Sequence, residues 1–189
     1  MRTVQCGAYW RDALVEAGLF DPTMAYGEDE ELNWRLVQSG ASIVLCPALR
    51  QPYRPRGSLG GVLRQYWNYG QGRARVLWKH PGFVRLRHLA PSALVLGFAT
   101  LTAMALVVPR AVGPLGLLTI LYGMVLGAAV VPTIGRGSAR EIALVPAAIA
   151  CMHAGYGAGM VVRGLRLALG RVEQFAERDV TAAIEPPAG

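Results

Sequence analysis

Four acidic residues in a row, Glu28-Asp29-Glu30-Glu31, follow Gly27 and lead into Leu32-Asn33-Trp34-Arg35-Leu36. Leu32 and Leu36 share one helical face, so the run predicts a helix from about residue 28 to 39, stopped by Gly40, with the acids in its first turn. Two chemistries are open to that cluster. Carboxylates at a helix N-terminus stabilise the macrodipole by a few tenths to about 1 kcal/mol each and need no further purpose. Alternatively one of them, aimed into a cleft and crowded by like charges, has a raised pKa and acts as a general base. A second group is basic. Residues 50–88 hold eight Arg and one Lys, and no acid occurs between Glu31 and Glu141. A one-signed stretch of that length suits a polyanion: nucleotide phosphates, a lipid headgroup or nucleic acid. The three cysteines, Cys6, Cys46 and Cys151, are far apart and odd in number, which fits neither a disulfide framework nor a zinc site; they read as buried small apolar side chains.

The elements that must position these groups follow from the surrounding pattern. The chain has 189 residues, of which 53% are apolar, and a formal charge of +7. That apolar share is high for a soluble domain. Residues 89–109 and 111–135 carry no charge, and 142–162 hold only His153 as a titratable group. Each is long enough to supply the roughly 20 apolar helical residues that a bilayer core requires. Pro109-Arg110 joins the first two as a hairpin. The third, with Pro146 and its glycines, reads either as a span or as a broken, re-entrant segment. His153 reads either as a functional ionisable group in lipid or as a neutral histidine bonded to a neighbouring helix; Gly155, Gly157 and Gly159 point to close helix packing and favour the second. Met1–Phe20 has no continuous apolar core and is not read as a signal peptide. The positive-inside rule places residues 50–88, Arg136 and Arg140 in the cytoplasm. A third full span would put Arg163, Arg166 and Arg171 outside, against that rule, so the topology of the third segment stays open.

Before the first apolar segment the pattern is mixed. Asp12–Ala17 predicts a short helix closed by Gly18, Leu19-Phe20-Asp21-Pro22 a loop, Ile43-Val44-Leu45 a short β run ended by Pro47, and Arg54-Pro55-Arg56-Gly57 a turn. Ser58 caps a long helix from Leu59 to about Lys79, ended by Pro81. That helix interleaves Tyr66, Trp67, Tyr69, Val76 and Leu77 with Arg64, Arg73, Arg75 and Lys79, a mixture suited to the headgroup layer or to an ordinary surface helix packed on its own domain. It matches no nucleic-acid recognition motif, and nucleic acid is not expected as a partner.

Taken in order, the motifs resemble family 2 glycosyltransferases of the succinoglycan-biosynthesis subgroup. Cys6-Gly7-Ala8-Tyr9-Trp10-Arg11-Asp12 followed by Gly18-Leu19-Phe20-Asp21 is similar to that family's loop and G-x-F-D step, and Gly27 to Leu36 resembles its E-D-x-E-L helix. Tyr53-Arg54-Pro55-Arg56, Arg64 to Gly70, Arg73-Ala74-Arg75, His80-Pro81, Leu86 to Pro91 and His153 to Gly157 resemble further positions of the subgroup. The resemblance implies a partial α/β GT-A type domain followed by an α-helical transmembrane region. The chain then divides into the C-terminal half of the catalytic domain (1–57), a basic amphipathic interfacial helix (58–87), a membrane region of two to three helices (88–170) and a polar tail (171–189).

The implied activity is inverting transfer of a sugar from a nucleotide diphosphate to a polysaccharide or polyprenyl-linked acceptor, at the cytoplasmic face of the plasma membrane in a multi-pass protein. Asp29 matches the general base and Glu28 its acidic neighbour. Cys6, Gly7, Ala8 and Arg11 match a loop at the sugar cleft, where small residues permit close backbone approach. Gln65 to Tyr69 stands where processive relatives carry Q-x-x-R-W, but Asn68 and Tyr69 replace the Arg and Trp, leaving Arg64 or Arg73 as substitute phosphate contacts. No D-x-D occurs in the sequence. The Mg or Mn ion that the family implies is therefore expected in a nucleotide-binding half ahead of Met1, with none bound by this chain and no activity from it in isolation. Two other functions compete: a non-catalytic membrane anchor or assembly partner for a separate glycosyltransferase, and an anionic-lipid binder using residues 50–88.

Overall fold

The computed structural model describes residues 7–46 and 56–171. Cys6 and the Tyr53-Arg54-Pro55 positions of the motif set lie outside that range. Among the described residues six α-helices follow in order: α1 (Arg11–Glu16), α2 (Glu28–Gln38), α3 (Leu59–Lys79), α4 (Leu86–Ala105), α5 (Val112–Val130) and α6 (Ala139–Ala168), with single 3₁₀ turns at Pro81–Phe83, Pro109–Ala111 and Val131–Thr133. Their ends follow local chemistry. Gly18 and Gly40 take left-handed φ values of +81° and +93° after α1 and α2, Ser58 Oγ accepts the Gly61 amide at the start of α3, and Ser138 and Glu141 form a capping box on α6.

The expected α/β GT-A half-domain is not what the chain forms. Among the described residues 74% are helical and none lies in a strand. Ile43, Val44 and Leu45 have strand-favouring side chains, yet they form an irregular segment with exposures of 36%, 81% and 57%. A strand is stable only when a neighbour takes up its backbone N–H and C=O groups and covers one face. No other described segment is extended beside 43–45, so local propensity has nothing to act on.

Among the described residues three helical stretches are long and apolar enough to cross a membrane: Leu86–Ala105, Pro109–Thr133 and Ala139–Ala168. The first two fold back on each other as a hairpin, with Phe98 and Tyr122 edge to face at 5.9 Å. α6 runs unbroken through Pro146, and at 30 residues it is about 45 Å long, more than the bilayer core requires. His153 Nδ1 lies 3.1 Å from the Tyr122 hydroxyl of α5, a polar link between two apolar helices.

The principal helix pair is α3 with α6, and glycines make it. A Cβ on Gly155 would stand 2.5 Å from the Leu63 carbonyl oxygen, and Cβ atoms on Gly70 and Gly159 would meet the carbonyl oxygens of Tyr156 and Trp67. Residue numbers rise together along both helices, so they cross in a parallel sense. Gly157 faces the Pro91 carbonyl of α4 in the same way. Small residues at these crossings let backbone lie on backbone, which is the source of association where no hydrophobic driving force separates helix from lipid.

Candidate functional site

The acidic run is placed by a second glycine crossing. Gly27, the residue before α2, has φ +80°, and a Cβ there would lie 3.5 Å from the Gly72 backbone of α3; a Cβ on Gly72 would stand 2.5 Å from the Tyr26 carbonyl oxygen. This contact sets the first turn of α2 against the middle of α3. Each acid then meets a different environment, because successive helical residues are turned by about 100°.

Glu30 Oε1 accepts from Arg73 Nη2 of α3 at 2.6 Å. The same guanidinium lies 5.1 Å over the Phe83 ring, a cation–π contact, and is a hydrogen-bond partner of the Tyr156 hydroxyl on α6. Phe83 in turn stacks on His88 at 5.4 Å. Arg73 thus joins α2, α3, α6 and the start of α4.

Glu31 is fully buried, at 0% exposure. Arg35 Nε donates to both of its oxygens at 3.0 Å and Nη2 donates to Oε2 at 2.8 Å; Lys79 Nζ and His80 Nε2 each reach Oε1 at 2.7 Å. Burial raises the Glu31 pKa, but the hydrogen bonds from Arg35, Lys79 and His80 outweigh it and hold the group at about 2. Arg35 also donates to the Ala17 and Leu19 carbonyl oxygens, which clamps the turn where Leu19 sits at φ +60°, a conformation that costs energy for a leucine. Lys79 Nζ donates to Asp21 Oδ2 at 2.9 Å, and Asp21 is held at about 2: burial raises it, but bonds from Thr23 and Lys79 prevail.

Asp29 differs from both. It is half-buried and has no ion pair among the described residues. Its pKa is raised, first by burial and then by the charge of Glu30, against lowering by the Glu30 and Asp29 amides and by the charge of Arg73. Tyr9 donates to Asn33 Oδ1 at 3.1 Å, one turn along the same face of α2, and the Asp29 charge adds to burial in raising the tyrosine. A carboxylate that is partly dehydrated, unpaired and above its usual range has the properties of a general base.

No family model matches the chain, and no solved structure matches it. It is similar, at 34% identity over 106 residues, to the succinoglycan biosynthesis protein ExoA of Rhizobium meliloti (strain 1021). The match takes in 56% of this chain and 32% of ExoA, so the chain spans about a third of its relative's length. By its name that relative acts in succinoglycan biosynthesis.

The residues expected from the motifs fall in two places. Asp29 and Arg73 share the α2–α3 crossing with Glu28, which occupies the first helical position. Gly7 lies against Tyr9, whose ring a Cβ would meet at 2.8 Å; Ala8 and Arg11 are exposed, Arg11 as the first residue of α1. Arg64 and Gln65 are elsewhere. With Arg56, Ser58, Gly60, Gly61 and Asn68 they line an open groove of about 550 Å³ at the N-terminal end of α3. Nine residues separate Arg64 from Arg73, about 180° of helical rotation, so the two arginines face opposite ways and do not converge. Gln65 Nε2 donates to the Tyr69 hydroxyl at 2.7 Å, which pairs those two residues with each other.

Sequence reasoning missed Tyr9 as a neighbour of Asp29, and it missed the Glu31 node. The i,i+4 spacing of Glu31 and Arg35 was a visible signal for part of that node; nothing in Lys79-His80 marked the rest. Cys46, expected buried, is exposed, while Cys151 is half-buried. Among the described residues no three His, Cys, Asp or Glu side chains assemble as metal ligands.

Proposed function

We propose that this chain supplies the acceptor-activating, membrane-embedded part of an inverting family 2 glycosyltransferase that extends an exported polysaccharide or a polyprenyl-linked sugar at the cytoplasmic face of the plasma membrane. The observation that carries the proposal is the sorting of the acidic run. Glu30 is paired with Arg73, and Glu31 with Arg35 and Lys79 and hydrogen-bonded by His80, while among the described residues no cation lies within ion-pair distance of Asp29, which burial raises although the Arg73 charge lowers it. Asp29 takes the proton of the acceptor hydroxyl as its oxygen bonds to the anomeric carbon and the nucleoside diphosphate departs. Glu28 lies beside it on the first turn. The groove of Arg56, Arg64, Gln65 and Asn68 offers cations and amides to a phosphate. The three apolar helices keep this cleft at the bilayer, where an amphiphilic acceptor arrives. A nucleotide-binding half, with its D-x-D and metal, completes the reaction.

The experiment is sugar transfer by membranes holding this chain together with such a half, with a panel of labelled nucleotide-diphosphate sugars and a lipid-linked acceptor. Transfer that requires both parts supports the enzyme reading. Stable co-purification of the two parts with transfer unchanged when this chain is left out would instead favour a non-catalytic anchor.

A further inference from the structure

We infer that Glu31 is a positioning residue for Asp29: its buried ion-pair node fixes the first turn of α2 against the end of α3 and the Gly18–Asp21 turn, and thereby holds Asp29 in its half-buried setting. The claim deepens the reading of Asp29 as the base and rests on it for its functional meaning.

Every partner of the Glu31 carboxylate is itself anchored. Arg35 is tied to the carbonyl oxygens of Ala17 and Leu19. Lys79 is tied to Asp21 at 2.9 Å, and the His80 ring lies on the Trp34 indole at 4.2 Å. One carboxylate therefore connects α2 to the turn after α1, to the loop before α2 and to the last residues of α3. Glu30 pins the same turn from a second direction through Arg73. With residues 30 and 31 both fixed, the remaining freedom of residue 29 is that of its own side chain. Asp29 is left directed to a third face, with Tyr9 and Asn33. Removing the Glu31 charge strands three cationic or hydrogen-bonding partners around a neutral group, the costly way to break a buried ion pair. The first turn of α2 then has only the Glu30–Arg73 pair and the Gly27–Gly72 contact to hold it, and water gains access to Asp29.

The test uses the whole chain in lipid nanodiscs. Carboxyl reactivity towards a water-soluble carbodiimide with glycine amide is followed residue by residue by mass spectrometry, from acid to neutral pH. In the wild type Asp29 titrates above the ordinary aspartate range. In Glu31→Gln the Asp29 midpoint is expected to drop back to that range with greater total labelling, while far-UV circular dichroism stays unchanged; Glu31→Asp restores part of the wild-type behaviour. Should Glu31→Gln fail to insert, Lys79→Met and His80→Gln each remove one contact and are expected to move the Asp29 midpoint in the same direction by less. An Asp29 midpoint that stays at the wild-type value in the folded Glu31→Gln protein, or in both of the milder variants, overturns the claim. A parallel arm measures transfer with the nucleotide-binding half present: kcat is expected to fall about a hundredfold, the scale of a small misplacement of a catalytic group, with the donor KM unchanged. A wild type that transfers no sugar overturns the base reading alone; the labelling result still decides the positioning claim.

Discussion

Alanine at Gly155 and alanine at Gly164 are the same change on the same helix, and the structure predicts opposite signs. A Cβ at residue 155 would stand 2.5 Å from the Leu63 carbonyl oxygen and 3.1 Å from the Trp67 amide nitrogen, and real Cβ atoms essentially never come within 3.0 Å of a neighbour. The obstruction is backbone on both sides, so no rotamer relieves it. Helices α3 and α6 must part by at least about half an ångström. Overpacking of that kind costs about 1–3 kcal/mol, partly offset by the 0.5–1 kcal/mol or so that alanine gains over glycine inside a helix. The net expectation is a loss of up to about 2.5 kcal/mol, centred on about 1 kcal/mol. At Gly164 nothing lies within 4 Å of the new Cβ, so only the helix gain remains and the variant is stabilised by up to about 1 kcal/mol. Unfolding in mixed micelles with increasing sodium dodecyl sulfate, followed by Trp67 and Trp78 fluorescence, reads both. Equal midpoints for Gly155→Ala and Gly164→Ala, or a stabilised Gly155→Ala, would refute the glycine-mediated crossing.

Three further outcomes are expected. The Glu31 pKa falls from 4.5 to about 2 on folding, a difference worth roughly 3 kcal/mol at 1.36 kcal/mol per unit. Because the folded value is depressed, this stability is present in full above about pH 4.5 and is lost as the pH falls through 2; thermal melts of the wild type should weaken across that window and those of Glu31→Gln should be flatter there. In a Cys6→Ser background, a membrane-impermeant maleimide should label Cys46 rapidly in nanodiscs and Cys151 slowly, since the first is exposed and the second lies within an apolar helix; equal rates would contradict the placement of Cys151. Ser58→Ala removes the acceptor for the Gly61 amide and should cost about 1 kcal/mol of stability, with Ser58→Thr restoring most of it.

Helix boundaries were legible because they depend on residues within a turn of the boundary. Gly18 and Gly40 had to be stops, Ser58 had to be a cap and Pro81 an end, and the structure places the elements accordingly. The apolar segments were legible for the same kind of reason, since length and absence of charge are local properties. The strand at 43–45 failed because a strand is defined by the extended partner beside it, and no described segment is a strand. The close-packing stripe Gly155, Gly157 and Gly159 was visible, but its partners, Leu63 and Trp67 on α3 and Pro91 on α4, were not, because small residues specify closeness without specifying what comes close. The acidic run shows the same limit. Composition and spacing do not separate four adjacent carboxylates, and only the resemblance singled out Asp29; Arg73, Lys79 and His80, more than forty residues away, bind Glu30 and Glu31, while no cation among the described residues is within ion-pair distance of Asp29.

The decisive measurement is sugar transfer by membranes containing this chain and a nucleotide-binding half, with Asp29→Asn compared with Glu28→Gln. Asp29→Asn is expected to lower kcat by about 10²–10⁴-fold, the usual contribution of a general base, with the donor KM little changed, and Glu28→Gln to retain more activity. An Asp29→Asn variant that turns over like the wild type would contradict the assignment of the base.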